Sequence, residues 1–219
     1  MSERLKEDSQ AIGVVLLAAG EGARMGGLPK CLIRIDGEPL IQRSLQAMRE
    51  AGASRIVVVT GYYADAIEPL VGPSHAQIVR NPAPERGQGS SVSLGLAALA
   101  GGCAVVIVAL ADQPLVGAGE VGELLAAFRN RADGERIVYP SVGGQRGNPV
   151  VLDGTLVQQL VDAGQAGAVR KFIDRHPEQV RVLQTPNEAF ITDLDTRDDV
   201  AALKARTGRS VDLPPADAG

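Results

Sequence analysis

The first apolar run, Ile12 to Leu17, empties directly into a glycine-rich segment, and this junction limits what the chain can become more than any other feature. A short apolar run closed by glycine reads as a buried strand leading into a loop. Strands buried on both faces belong to parallel sheets covered by helices. Further runs follow at Arg55–Thr60, Gln77–Val79 and Ala104–Leu110. Helix-patterned stretches separate them. Pro39 opens one that ends near Gly52, with proline suited to a first helical turn and glycine to a C-terminal stop. Ala64–Leu70 forms a short second helix, Ser90 or Ser91 can cap a third through about Leu99, and Val121–Arg131 supplies a fourth.

Beyond this point the rhythm loosens. Ile137–Tyr139 and Val150–Leu152 flank a glycine-rich segment, followed by helical stretches near Thr155–Leu160 and Ala168–Arg175. Val180–Leu183 and Ile191–Asp195 then lead to a last helix beginning near Thr196. The alternation predicts an α/β fold: a mostly parallel, doubly wound sheet with a small late β excursion. Ligands of such sheets sit beyond the carboxyl ends of the strands. The expected division is a charged N-terminal tail over residues 1–11, one domain over 12–207, and a flexible Pro/Asp/Gly-rich tail over 208–219.

Composition narrows the function. Apolar residues make up 45% of the 219, enough for a sizeable core, and with 3% aromatics and no tryptophan that core must rest on Val, Leu, Ile and Ala. A net charge of −4 argues against a broad nucleic-acid surface, which needs clustered Lys and Arg. No apolar run approaches the ~20 residues that span a bilayer, and MSERLKEDSQ is too charged for a secretory signal. A cytoplasmic protein is expected. Cys31 and Cys103 lack metal or redox spacing, and His75 and His176 stand alone, so all four are read as packing or surface residues.

Four segments carry chemistry. Leu16 to Lys30, LLAAGEGARMGGLPK, sets backbone amides, a guanidinium and an ammonium just after the first strand. Glycines let the main chain approach phosphate oxygens, while Arg24 and Lys30 can offset charge on a departing pyrophosphate. A dinucleotide fingerprint fails because Met25 stands where a third Gly or Ala belongs; a Walker A loop fails because Lys30 lies between Pro29 and Cys31. Asp112 ends an apolar strand, where a carboxylate must be solvated, hydrogen-bonded or metal-bound; a turn or loop cap is the plainer role. Asp193 and Asp195 lie two apart, so an extended backbone projects both to one face, although acids before a helix starting near Thr196 also suit its dipole. Gly143 to Val150, GGQRGNPV, equally suits a hairpin.

LAAGEGARMGGLPK resembles the LAAGxSxRMGxxK signature of the MobA/MocA-like nucleotidyltransferases, with Gly22 in place of the usual serine. The resemblance runs from about Val14 to Val200 and implies a Rossmann-like sheet. It places Leu17, Ala18, Ala19, Gly20, Gly22, Arg24 and Lys30 on the nucleotide. Asn81 with Gly89, Ser90 and Ser91 resembles the family's N…GxGSS segment beside the nucleobase and ribose. Asp112, in ALADQP, resembles its LxDQP metal site. ITDLDT resembles its terminal DxDTxxD pattern, adding Asp193 or Asp195 to a Mg²⁺ site. Gly147, Asn148 and Pro149 resemble its GxxGHPV substrate loop, with Asn148 where histidine is common. Ala168–Lys171 matches the family's GAR-containing segment imperfectly.

The family therefore implies Mg²⁺-dependent transfer of a nucleoside monophosphate to the phosphate of molybdopterin or molybdenum cofactor. Ala19 resembles the cytidylyl branch, so CTP is the expected donor and a client molybdoenzyme a partner; nucleic acid and membrane are not expected. GTP, a sugar, polyol or choline phosphate acceptor, and a non-catalytic cofactor carrier are the alternatives.

Overall fold

The structure is a computed structural model that describes residues 11–214. Its elements run β1 (Ile12–Ala18), β2 (Arg34–Ile35), β3 (Glu38–Pro39), α1 (Leu40–Glu50), β4 (Arg55–Thr60), α2 (Ala64–Val71), β5 (Gln77–Arg80) and α3 (Gln88–Leu99). They continue β6 (Val105–Leu110), α4 (Ala118–Arg129), β7 (Ile137–Val142), β8 (Gln145–Arg146), β9 (Val150–Asp153), α5 (Gly154–Asp162), α6 (Val169–Arg175), β10 (Val180–Gln184), α7 (Arg197–Thr207) and β11 (Val211–Asp212). The main sheet has the order β10-β7-β9-β6-β1-β4-β5, with β8 paired to β7. β1, β4, β5 and β6 are parallel, whereas β9 is antiparallel to both β6 and β7.

Alternation along β1 builds two cores. Val14, Leu16 and Ala18 face α1, α2 and α4 through Ile41, Leu45, Ile67, Leu124 and Phe128. Val15 and Leu17 face α3 and α5 through Leu96, Leu99, Leu156 and Leu160. Helix α3 comes so near that a Cβ at Gly95 would lie 2.3 Å from Val15 Cγ1, so only glycine fits. The late excursion joins the main sheet rather than standing apart. Gly143 and Gly144, at φ 57° and 87°, make the two-residue turn between β7 and β8.

A third cluster decides where the site lies. Met25 and Leu28 of the glycine-rich loop pack with Ile33, Ile35, Leu40, Leu194, Val200, Leu203 and Val211. The loop and the C-terminal helix therefore share one small core, roofed by the antiparallel sheet β11-β2-β3.

Two expectations change here. Within the segment read as a tail, Gly208 caps α7 in the left-handed conformation and Val211–Asp212 pair with Arg34–Ile35, while residues 215–219 lie outside the described residues. The approach to the last helix over Ile191–Asp195, for which an extended backbone was considered, follows a 3₁₀ turn over Glu188–Ile191 and is irregular. Its amides find other partners: Leu194 N donates to Asp112 O at 3.1 Å, and Asp195 N and Thr196 N donate to the Asp199 carboxylate. The N-terminal tail, Ala11 apart, lies outside the described residues. Among the described residues no helix is long and apolar enough to cross a membrane.

Candidate active site

The carboxyl ends of β1, β4 and β6 open onto a cleft of about 390 Å³. Leu17 to Glu21 form one wall, Leu110 to Asp112 and Pro29 to Cys31 line it further round, and Tyr62, Tyr63, Ile67, Pro84, Glu85, Gly87, Gln88 and Ser91 form the rest. At Gly20 a Cβ would point into open space, so its freedom is not needed for packing there. Gly22 differs: φ is 66°, and a Cβ would meet Leu28 O at 2.0 Å. The serine usual at this position would clash with the loop's own backbone, so Gly22 closes a turn tighter than serine allows. Met25 N and Gly27 N both donate to its carbonyl.

The turn over Ala23–Met25 buries Met25 and leaves Arg24 outside, while buried Cys31 and Leu32 anchor the turn that carries Lys30. Lys30 Nζ lies 3.0 Å from Asp112 Oδ2 and 2.5 Å from Asp195 Oδ1. Arg24 reaches the other Asp195 oxygen at 2.7 Å, although its side chain is 70% exposed. Burial alone would lower the Lys30 pKa, but the Asp112 and Asp195 carboxylates outweigh it and hold the ammonium above the ordinary lysine value. Asp193 is pushed up to about 6, first by burial and next by the charge of Asp112, against the opposing Gln113 amide and Lys30. Its Oδ1 is buried without a hydrogen-bond partner. Leu194, fully buried between them, fixes how Asp193 and Asp195 flank the cluster.

Asp112 was expected to hold a cation together with Asp193 or Asp195. Among the described residues, no three His, Cys, Asp or Glu side chains converge on such a site. The Lys30 ammonium lies on Asp112 and Asp195 instead, and Asp193 is set into the protein beside them. The pair alone still suits a hard cation such as Mg²⁺, which takes one or two carboxylates and completes its shell with water and phosphate oxygens.

The second nucleotide segment divides. Asn81 Nδ2 donates to Ser90 Oγ and Ser91 Oγ, both at 2.9 Å, and its Oδ1 accepts from Ala83 N. Asn81 is buried, and neither it nor Gly89 nor Ser90 lines the cleft; Ser91 does. Ser90 is not the cap of α3, because Gly87 holds that position and Ser90 Oγ donates back to Gly87 O at 2.7 Å. Gly89 is spent on packing, since a Cβ there would meet Gly167 O at 2.7 Å. The expected substrate loop also stands off the cleft. Gly147 N donates to Pro140 O and Asn148 N to Phe190 O, while Gly147 and Pro149 are buried and Asn148 half-buried. Gln113 Nε2 donates to the same Phe190 carbonyl, tying the ALADQP segment to the segment that leads into Asp193.

Tyr62, Tyr63 and Ile67 were not foreseen, and Glu21, Pro84, Glu85 and Gln88 lie within the expected nucleotide segments without having been singled out. The signal was present: two of only three tyrosines stand side by side just past the end of β4. Tyr63 Oη lies 2.8 Å from Glu21 O and 2.6 Å from Gly27 O, so it braces the glycine-rich loop. Burial, and then Asp112, pushes the Cys31 thiol up to about 12; Cys103 packs on Gly13, and His176 rests on Phe172.

A cleft at the strand ends, walled by a glycine-rich loop and lined by a lysine that is paired with carboxylates, is the construction of an α/β nucleotidyltransferase. The chain belongs to the MobA-like NTP transferase family, whose domain matches residues 14–180. It is similar to nicotine blue oxidoreductase of Paenarthrobacter nicotinovorans, with 32% identity over 200 residues, 86% of this chain and 94% of that one. It is 36% identical over 121 residues to the bifunctional protein GlmU of Pelobacter propionicus, covering 55% of this chain and only 26% of GlmU. Rv0371c of Mycobacterium tuberculosis shares the fold, with a TM-score of 0.74 and 24% identity over 89% of this chain and 97% of that one.

Proposed function

We propose that this protein transfers CMP from CTP to the phosphate of molybdopterin or its molybdenum-loaded form, releasing pyrophosphate. The observation that carries transfer is Lys30 held between Asp112 and Asp195 in the cleft at the ends of β1 and β6. The choice of CTP rests on the Ala19 form of the loop, and the acceptor on the resemblance of Gly143 to Val150 to the family's substrate loop.

An acceptor phosphate oxygen bonds to the α-phosphorus as the bond from that phosphorus to the bridging oxygen breaks, and pyrophosphate leaves with the electron pair. Lys30 and Arg24 exchange carboxylate partners for phosphate oxygens and stabilise the charge that grows there. The backbone of Leu17 to Gly20 lies against the nucleotide. Asp112 and Asp195 would hold Mg²⁺, which when bound neutralises phosphate charge. Rv0371c is also solved as a manganese complex, which supports a divalent cation without selecting magnesium. A phosphate monoester with a second pKa near ~6 is already largely dianionic at neutral pH, so the reaction needs no general base from the protein.

The test is to incubate the protein with Mg²⁺, molybdenum cofactor and each of CTP, GTP, ATP and UTP, following pyrophosphate and the mass of the pterin product. A CMP-pterin product, lost in Asp112→Asn, is expected. Preference for GTP would overturn the base assignment, and no turnover with any nucleotide would overturn the acceptor. The relative named as an oxidoreductase favours a second reading, in which a redox nucleotide occupies the same cleft. Pyrophosphate release separates the two, because electron transfer leaves the phosphoanhydride intact.

A further inference from the structure

We infer that Tyr62 is the aromatic wall on which the nucleobase stacks. This deepens the transfer reading and rests on it.

The cleft is divided by charge. Lys30 responds to Asp112 and Asp195, whereas the charges acting on Tyr62 are Glu21 and Glu85. Among the described residues, a triphosphate finds cations only at the Lys30 end, where Lys30 and Arg24 can exchange carboxylates for phosphate oxygens, and meets two unopposed glutamates at the Tyr62 end. The flat, neutral end of a nucleotide is what the Tyr62 side accepts. Tyr62 is 43% exposed, one of two exposed large hydrophobic residues among those described, and it lines the cleft. Its neighbour Tyr63 is committed to the Glu21 and Gly27 carbonyls, but Tyr62 makes no hydrogen bond among the described residues. A partly exposed ring in the cleft wall, two residues beyond the buried Thr60 that ends β4, has the surface that base stacking needs.

Stacking tolerates every base because each has a π-face, so Tyr62 supplies affinity and leaves base choice to other groups. Calorimetric titration of CTP, GTP, ATP, UTP and inorganic tripolyphosphate tests this on the wild type, Tyr62→Phe and Tyr62→Ala. Tyr62→Ala is expected to raise the Kd of all four nucleotides by a similar factor, roughly tenfold, and leave tripolyphosphate unchanged. Tyr62→Phe keeps the ring and is expected to bind like the wild type. Equal nucleotide affinity in Tyr62→Ala and wild type would overturn the stacking role while leaving transfer intact. Equal weakening of tripolyphosphate would overturn it too, by placing Tyr62 at the phosphate end. A wild type that binds tripolyphosphate but gains nothing from any base sinks the stacking role, and one that binds no nucleotide sinks both readings.

Discussion

Two polar clusters sit at the edge of the same cleft, and they are built on opposite plans. Around Lys30, charged side chains from three distant segments meet with partial exposure, and each pairing is one that an incoming phosphate or cation could replace. Around Asn81, neutral side chains from one short segment satisfy one another: the amide nitrogen serves Ser90 and Ser91 and the amide oxygen serves Ala83. Both clusters come from motifs that resemble nucleotide contacts. The first has its charges available to a ligand, whereas the second has spent most of its hydrogen-bonding capacity on shaping the approach to α3. A motif residue can therefore serve a site by building its wall.

That contrast can be broken by substitution. Lys30→Ala should give the largest effect, a fall of roughly 10²–10³ in kcat for pyrophosphate release, with the fold retained by circular dichroism. A fall of less than tenfold would remove Lys30 from the chemistry. Asn81→Ala should act on stability instead, losing roughly 1–3 kcal/mol in urea unfolding as the buried Ser91 hydroxyl loses its donor and Ala83 N its acceptor. Unchanged stability with a large rise in KM would make Asn81 a ligand and erase the distinction.

Proton binding sharpens the charged side further. Asp193 is pushed up to about 6 by burial and by Asp112, so the folded chain favours its protonated form. Its contribution is fully present below the ordinary carboxylate range near ~4 and is lost as pH rises through about 6. Allowing for its partial exposure, the wild type should lose roughly 1–2 kcal/mol across that window relative to Asp193→Asn. Parallel pH–stability curves for the two proteins would count against the buried charge. Tyr63→Phe should be mildest, costing about 1 kcal/mol or less and raising nucleotide KM a few-fold as the loop loses its brace. No change in KM would show that the loop holds its shape without Tyr63.

Much of the scaffold was legible because it depends on neighbours within a few residues. β1, β4 and β6 follow from apolar runs, and the helix starting after Thr196 from a cap that accepts from Asp199 N. The antiparallel β9 was not legible, since strand direction depends on the edge a segment joins. Nor was the ordered segment through Val211, whose polar composition reads as a tail but whose backbone is paired by β2 and whose Arg209 is held by Asp36.

The sequence by itself determined the α/β alternation, the glycine-rich loop at the first strand end, and the residue types able to meet a phosphate. Only the tertiary structure decided which of them meet. Lys30 is 82 residues from Asp112 and 165 from Asp195, and Tyr62 faces the loop of Glu21 only because β4 lies beside β1. Local pattern sets a strand or a helix, but a side chain's partner depends on sheet order and on which small core, here that of Met25, Leu28 and Leu194, draws distant segments together.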